Sequence, residues 1–553
     1  MSHPRPEKSK LKRKRDYSTV FKTPFEFNCA WSKAFESDSF VSVLTQEILP
    51  RYLVQKRWFA GKSATVKYID IMDVFEVPSS KHNYFGLLIE VIFTEAVSQN
   101  YFIPISFMLH EELDETNTLI APAFMSEGSG YLVDALHIED FRKMLFNKIV
   151  GNHKGKVHPR LLFDINNSVK GTEYKSSRFM SAEQSNTSIV YNEIFVLKIF
   201  RRIFSDPNPD FEVNRFLTEI QGFKNCPKYC GSLNMNFEHE TVTLALMQEL
   251  IPNEGDAWKL FTTELGNAFH VLEAKKVNIS SLPSNPIFNG IEIAQVPYEF
   301  IDWVGLRLFN LTVQLAKRTA EMHTYLGAST IHTAFTPSIF NGDYEVWLKN
   351  RLVYQFQNRI NSIENNLHQL KGETLEMAEW FLTQKKEIRK RFLNFNWTKL
   401  KSERIRIHGD YHLGQVLVKD EDFYILDFEG EPESTIRDRK VKQPPLKDVA
   451  GMFRSFHYAV YSAIITNSET LNYQTEHLYE AAEKLYSYLV GVFFQAYLNQ
   501  VYSKGNLSLG YTREREFLLR YHLLEKAVYE LGYELNSRPR WAIIPLKGIK
   551  SLL

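Results

Sequence analysis

Residues 404–433 read RIRIHGDYHLGQVLVKDEDFYILDFEGEPE, and this stretch decides the fold. Residues 404–407 alternate apolar and polar side chains as a strand does, and HGDYHLGQ then forms a turn that contains glycine. The runs VLV and FYIL are short strands joined by the turn-forming residues KDED, which predicts a hairpin. The hairpin places Asp427 directly after its second strand.

Polar side chains in this stretch have the order and spacing of a phosphoryl-transfer site. Asp410 lies on the turn, Gln415 follows five positions later, and Asp427 comes after the hairpin. In such a site one Asp receives the hydroxyl proton, while an amide and a second Asp bind magnesium. Magnesium takes hard oxygen ligands, so Glu429 is a third candidate. We predict Asp410 as the catalytic residue and Gln415, Asp427 and Glu429 as metal ligands.

The same residues resemble those of a known kinase family. HGDYHLGQ resembles the catalytic loop of aminoglycoside phosphotransferase-like kinases, with Gln415 where many members have Asn and DFE where protein kinases have DFG. With PPLKDVAGMFRSFHYA after it, the stretch resembles bacterial maltokinases, which are also found fused to trehalose synthase. The resemblance covers roughly residues 41–553. It implies phosphorylation of the anomeric hydroxyl of maltose with ATP and Mg²⁺, in the cytoplasm, for glycogen and other α-glucan synthesis, with trehalose synthase as a candidate partner.

Composition excludes several other classes of protein. The chain has 553 residues, 44% of them hydrophobic, and a net charge of +1, which provides no field for nucleic acid or a membrane. Only the first fifteen residues are strongly basic, with seven Lys or Arg against one Glu, and we expect a solvated tail there. The three cysteines (Cys29, Cys226 and Cys230) predict free thiols in a reducing compartment.

The resemblance implies an α+β, bilobal protein-kinase-like fold with an N-terminal α/β cap domain and a mostly helical C-lobe, and the order of strand-like and helical patterns fits this fold. Strand-like runs at 66–74, 84–93 and 101–109 predict an antiparallel sheet. RWFAGKS, just before them, resembles the cap signature of maltokinases, where it is part of the fold. We expect a basic disordered tail, the cap domain, the kinase N-lobe and the C-lobe at residues 1–25, 26–140, 141–250 and 251–553.

The arrangement of nucleotide-binding residues in kinases also points to candidate nucleotide contacts in this sequence. Lys198 lies in the apolar strand VLKIF and needs an anionic partner, for which Glu212 on the next helix is the candidate. The glycine-free loop EQSNTS resembles the maltokinase phosphate loop, and Glu249 and Ile251 are hinge candidates for adenine by the same resemblance. The predicted phosphate-loop residues are Gln184, Ser185, Asn186, Thr187 and Ser188.

The C-terminal string EKAVYELGYELNSRPRW combines aromatic rings, carboxylates and bases, as sugar sites do. Composition alone also fits an amphipathic helix with surface ion pairs, but the string resembles the maltokinase C-terminal motif almost position for position. The predicted substrate contacts are His412, Lys526, Tyr529, Glu530, Tyr533, Glu534, Arg538 and Trp541.

Some alternatives stay open at this point. Asp448 either holds the catalytic loop or is an ordinary acidic residue at a helix N-terminus. His323, on a predicted helix, is assigned no chemistry. The same scaffold fits a kinase for another sugar, such as glucosamine, or a catalytically silent sugar-sensing partner of trehalose synthase.

Overall fold

The computed structural model divides the chain into two compact units. The first contains Met1–Pro207 and Cys230–Leu250, and the second contains Asn208–Tyr229 and Ile251–Leu553. The structure describes residues 21–79, 82–114, 118–152, 158–180, 185–237, 239–393, 395–467, 471 and 475–553. Of the predicted basic tail, residues 1–20 lie outside this range, and Phe21 is buried with its ring edge-on to Phe25.

The first unit begins with a sheet whose strand order is β1-β5-β6-β4-β3-β2. The predicted antiparallel run of three strands is confirmed as β2, β3 and β4. Both faces of this sheet are covered, which explains why β3 and β4 are apolar almost without alternation. Its strands are β1 (Phe25–Glu26), β2 (Val66–Pro78), β3 (Asn83–Phe93), β4 (Gln99–Leu109), β5 (Leu119–Met125) and β6 (Gly128–Asp134). The helices α1 (Asp38–Val43), α2 (Leu49–Leu53) and α3 (Glu139–Ile149) belong to the same unit.

The second sheet of this unit has the order β7-β12-β13-β10-β9-β8. The predicted hairpin around Asn192 and Glu193 is confirmed, and both residues have a positive φ, as a tight two-residue turn requires. Its strands are β7 (Leu161–Ile165), β8 (Ser177–Phe179), β9 (Thr187–Tyr191), β10 (Phe195–Ile199), β12 (Tyr229–Phe237) and β13 (Glu240–Glu249). The short strand β11 (Arg202–Ile203) follows β10 in the chain and pairs with β4 of the first sheet.

A buried ion pair ties the end of the first sheet to the start of β11. Arg201 and Asp134 are 2.6 Å apart, with side chains 1% and 2% exposed. Tyr52 donates a hydrogen bond to the same carboxylate, and the Arg201 guanidinium lies over the ring of Trp58, within the RWFAGKS segment. Burial raises the pKa of Asp134, but Arg201 outweighs burial and holds this pKa below its usual value. This contact gives RWFAGKS a structural role, as the resemblance implied.

The second unit is mostly helical, and its helices enclose one continuous apolar core. The predicted helix at 311–326 is the C-terminal part of α7, and the predicted helix at 447–460 lies within α11. The helices are α4 (Pro209–Arg215), α5 (Ala257–Ala274), α6 (Tyr298–Val304), α7 (Leu306–Leu326), α8 (Gly342–Asn366), α9 (Gly372–Leu393), α10 (Ile436–Lys440), α11 (Leu446–Thr466), α12 (Thr475–Lys504), α13 (Thr512–Ser537) and α14 (Ile543–Leu552).

The stretch that opened the sequence analysis has mostly the predicted form. The hairpin is β16 (Val416–Lys419) paired with β17 (Asp422–Ile425), and Asp427 follows it. The strand predicted at 404–407 is shorter: β15 (Glu403–Arg404) pairs with β14 (Ser338–Ile339), and Ile405 makes an isolated bridge to Gln443. Because the pairing is antiparallel, its continuation to Ile405 would need residue 337, and Pro337 has no amide hydrogen to donate.

Among the residues that the structure describes, no helix combines the length and the apolar character that a bilayer span requires.

Candidate active site

One face of α11 holds the loop that carries Asp410. The carboxylate of Asp448 accepts hydrogen bonds from the backbone amides of His408 (2.8 Å) and Gly409 (2.9 Å). One helical turn later a Cβ on Gly451 would come within 2.6 Å of the Tyr411 carbonyl oxygen, so only glycine permits this close approach. The structure therefore decides the alternative for Asp448, which holds the loop.

His323 supports this anchor from α7. Its Nε2 lies 3.1 Å from the Asp448 carboxylate, and its Nδ1 lies 2.9 Å from the Tyr497 hydroxyl on α12. Burial raises the pKa of Asp448, but His323 and the amide of Gly409 outweigh burial, so this pKa lies below its usual value. A lone helical His gives no sequence signal for this contact, which explains why the prediction assigned His323 no chemistry.

Asp410 is paired with Lys526 of α13, whose ammonium nitrogen lies 3.0 Å from the carboxylate. Burial raises the pKa of Asp410, whereas Lys526 and His412 lower it by more, so this pKa lies below its usual value. Burial lowers the pKa of Lys526, but the carboxylates of Asp410, Glu431 and Glu530 outweigh burial and raise it. Both groups are therefore charged at neutral pH.

The loop after the hairpin carries an acidic cluster, which consists of Asp210, Asp427 and Glu429. One carboxylate oxygen from each residue lies within 4.8 Å of the others. Asp427 has a φ of 62°, an unusual conformation outside glycine that occurs at functional sites. Asp210 is fully buried and accepts a hydrogen bond from the Phe428 amide (2.9 Å), so it fixes the loop that carries the other two carboxylates.

The donor set of the acidic cluster fits a divalent cation. Three carboxylates in close proximity repel one another, and Mg²⁺ is held by hard oxygen ligands of this type. The side-chain amide of Gln415 donates to Asp427 (3.2 Å), so Gln415 also lies at the cluster. The three predicted metal ligands are thus neighbours, and the structure adds Asp210.

Sequence reasoning assigned Glu212 on α4 as the partner of Lys198 and did not assign Asp210 to the metal site. Residues two apart on a helix point about 200° apart, so only one of the two can face the acidic cluster. Glu212 lies 3.2 Å from Lys440 and 3.5 Å from Arg406. The pairing of Lys198 with Glu212 stays a prediction. A useful signal for Asp210 was its position directly after Asn208 and Pro209, which fixes it in the first turn of the helix.

The predicted sugar contacts converge in a cavity of about 310 Å³, which we call the C-terminal cleft. Tyr529 is the predicted contact that does not line it; this residue lines a separate cavity of about 20 Å³ beside Lys526. Sequence reasoning did not assign Ser455 and Tyr458 to the site, although both lie in the cleft wall. The predicted residues in the cleft are His412, Lys526, Glu530, Tyr533, Glu534, Arg538 and Trp541.

Both carboxylates in this wall are already paired with arginines. Glu530 lies 2.8 Å from Arg454, and Glu534 lies 2.7 Å from Arg538. The guanidinium of Arg538 also lies over the ring of Trp541, 4.5 Å from its centroid. The cleft therefore offers hydrogen-bonding groups and an aromatic surface with little uncompensated charge.

The predicted nucleotide contacts lie mostly in the first unit. Lys198 is in the middle of β10, directly across from Ser188 on β9, so the two side chains share one face of the sheet. Thr187 accepts a hydrogen bond from Arg201, and Ser185 and Asn186 form the bend before β9. Gln184 lies outside the described residues. Glu249 ends β13, and Ile251 begins the second unit.

Comparison with known proteins gives a family match, a short match to a curated relative and matches to solved structures. Residues 52–137 match the family model described as the maltokinase N-terminal cap domain. A curated glucosamine kinase from Streptacidiphilus jiangxiensis is 39% identical over 54 residues, which are 10% of this chain and 12% of that relative. This chain thus matches about an eighth of that relative's length.

Solved structures match a much larger part of the chain. A glucosamine kinase in complex with glucosamine, ADP and inorganic phosphate is 16% identical, with a TM-score of 0.57 over 89% of this chain and 95% of that chain. A second crystal form of glucosamine kinase is 15% identical, with a TM-score of 0.58 over 91% of this chain and 96% of that chain. The predicted fold class is confirmed: the chain has a kinase-like bilobal α+β fold.

The acidic cluster generates a direct test. We expect Asp210→Asn and Asp427→Asn each to weaken binding of Mn²⁺, used as a paramagnetic substitute for Mg²⁺, by at least about tenfold, because each removes a charged ligand. Glu212→Gln, on the same helix as Asp210, is the matched control and should bind Mn²⁺ as the native protein does. Electron paramagnetic resonance titration measures free Mn²⁺. Equal binding by Asp210→Asn and the native protein would remove Asp210 from the site.

Proposed function

We propose that the protein transfers the γ-phosphoryl group of ATP to the anomeric hydroxyl of maltose, giving maltose 1-phosphate and ADP. The observation that carries the proposal is that Asp410, ion-paired with Lys526, adjoins a cleft lined by seven of the eight predicted sugar contacts. The kinase-like fold and the maltokinase cap match support the same class of enzyme.

Asp410 is proposed to orient the sugar hydroxyl. Because Lys526 keeps this carboxylate charged, it accepts a hydrogen bond from the hydroxyl and directs the oxygen toward the phosphoryl group. A base with a lowered pKa removes a proton weakly, so orientation is the larger contribution before the transition state. The proton passes to Asp410 as the new oxygen–phosphorus bond forms and the bond to ADP breaks.

The acidic cluster is proposed to hold Mg²⁺, with Gln415 beside it. When bound, Mg²⁺ neutralises charge on the phosphates. Lys198, Glu212 and the residues before β9 are proposed to hold the nucleotide, with Glu249 and Ile251 next to adenine. Trehalose synthase remains a proposed partner by family resemblance alone.

Charge in the C-terminal cleft favours a neutral sugar over an amino sugar. An ammonium group needs an unpaired carboxylate, whereas Glu530 is paired with Arg454 and Glu534 with Arg538. Glucosamine remains the second candidate because the similar solved structures are glucosamine kinases.

A sugar panel tests the substrate. We expect Mg²⁺-dependent ADP release with maltose and, by ³¹P NMR, a product phosphorylated at the anomeric oxygen, with glucosamine turned over more slowly. Turnover of glucosamine without turnover of maltose would reject the maltose assignment. A lack of ATP turnover with every sugar would instead support the catalytically silent alternative.

Substitution of Asp410 tests the chemistry. We expect Asp410→Asn to lower kcat by about 10²- to 10⁴-fold, the usual effect of losing a general base, while the Kd for ATP stays nearly unchanged. Asp302→Asn, at a surface ion pair with Lys275, is the control and should keep native kcat. Native turnover by Asp410→Asn would contradict the assigned role.

The ion pair with Lys526 generates a pH prediction. Lys526 depresses the pKa of Asp410, so native activity should fall only below the ordinary carboxyl range as pH decreases. In Lys526→Met the main charge that opposes burial is lost and His412 alone still lowers this pKa, so the pKa should rise and the acid limb of kcat/KM should move up by more than about one pH unit. Lys526→Arg should keep the native limb because it keeps the cation. If Lys526→Met lowered kcat/KM equally at every pH and left the acid limb in place, the role of Lys526 would be merely structural.

A further inference from the structure

A second cleft, of about 620 Å³, runs along α8 beside residues 433–438, and we call it the α8 cleft. It shares no lining residue with the C-terminal cleft. Its helical wall extends from Trp347 to Arg359, thirteen residues that span about 18 Å of helix. This length suits an extended ligand better than a single small ring.

The two walls of the α8 cleft are fixed to each other. Arg359 forms an ion pair with Glu433 (2.9 Å), and the indole of Trp347 donates to Asp438 (2.7 Å). Arg351 also lines the α8 cleft, and it is ion-paired with Glu431, two residues before the wall formed by residues 433–438. The cleft is therefore formed before any ligand arrives, which reduces the entropy lost on binding.

The arginines of the α8 cleft are already paired with carboxylates, and the carboxylate of Asp438 accepts hydrogen bonds from Trp347 and Thr435. Arg351 is paired with both Glu431 and Glu525, and only 11% of its side chain is exposed. Arg359 is paired with Glu433. A phosphate ligand would have to break the arginine pairs, and an ammonium ligand would have to displace the hydrogen bonds that Asp438 accepts, so the lining favours a neutral molecule.

The groups left available in the α8 cleft are amides and aromatic rings. Within the described part of the chain, the side chains of Asn350, Gln355 and Asn358 make no hydrogen bond to another protein group. Each amide both donates and accepts, as a sugar hydroxyl does. Tyr354 is 70% exposed on the same helix face, and Trp347 is half-buried there, so flat apolar faces alternate with the amides.

We propose that the α8 cleft is a binding site for a neutral oligosaccharide, separate from the C-terminal cleft. The side-chain amides of the cleft can donate hydrogen bonds to sugar hydroxyls and accept hydrogen bonds from them. The rings of Trp347 and Tyr354 stack on the apolar faces of sugar rings, and the length of the α8 cleft accommodates several sugar units. The site goes beyond the proposed phosphoryl transfer, since it binds saccharide that does not react.

Isothermal titration calorimetry without nucleotide tests this proposal on the full-length chain. The probes are maltoheptaose, cellohexaose and laminarihexaose, which differ in glycosidic linkage. We expect at least one probe to bind the native protein and Tyr354→Ala to raise its Kd about tenfold, because an exposed ring that stacks on a ligand contributes most of its energy to binding. Asn358→Ala, also at an exposed position, should weaken the same probe.

Two controls locate the binding. Tyr298→Ala removes a ring that is 76% exposed elsewhere on the second unit, and it should bind as the native protein does. Trp541→Ala alters the C-terminal cleft, where a maltose unit of maltoheptaose also binds in the proposed function, and it should keep the binding step that Tyr354→Ala weakens. Loss of binding in Trp541→Ala, native affinity in Tyr354→Ala, or no binding of any probe would each overturn the proposal. Because no ATP is present, none of these results depends on the proposed kinase activity.

Discussion

The buried carboxylate of Asp448 is the interaction on which the active site depends. It accepts hydrogen bonds from two backbone amides of the catalytic loop and lies beside His323, and both side chains are buried. Without it these amides would be buried and unsatisfied, which costs about 1–3 kcal/mol for each group. Asp410 is the next residue after the second amide, so the position of the reactive carboxylate follows from a buried contact on α11, the helix that also carries Ser455 and Tyr458 of the cleft wall.

The same helix makes this contact specific. Asp448, Gly451 and Ser455 lie on one face of α11, at the spacing of successive helical turns. Asp448 holds the start of the catalytic loop, Gly451 permits the approach of Tyr411, and the Ser455 hydroxyl accepts the amide of Leu413 (3.0 Å). One rigid element thus fixes the loop at three successive points, and α11 positions the chemistry although it supplies no reactive group.

The local features of the site could be predicted from the sequence, because they depend on neighbours in the chain. The hairpin and the order of Asp410, Gln415 and Asp427 are encoded in thirty consecutive residues. Features that depend on distant contacts could not be predicted in this way. Asp210 meets the loop across more than two hundred residues, and the strand order β1-β5-β6-β4-β3-β2 has no signature in the order of the chain. The resemblance supplied the C-terminal contacts, which composition alone left undecided.

A second constraint acts beneath the catalytic loop, where buried charges alternate in sign. Glu431 is paired with Arg351 and Lys447, and Lys447 also lies 3.6 Å from Glu525. Burial raises the pKa of Glu431, but Lys447 and Arg351 outweigh it and bring the pKa to about 2. Such pairs contribute little net stability, because desolvation offsets attraction.

These alternating buried charges give Lys526 a fixed electrostatic environment. The Lys526 ammonium is ion-paired with Asp410, and the carboxylates of Asp410, Glu431 and Glu530 all raise its pKa. A cation under the influence of three carboxylates keeps its charge whether or not a sugar is present. The charge state of Asp410 is therefore set by the protein before substrate binds, and a neutral acceptor can enter without disturbing it.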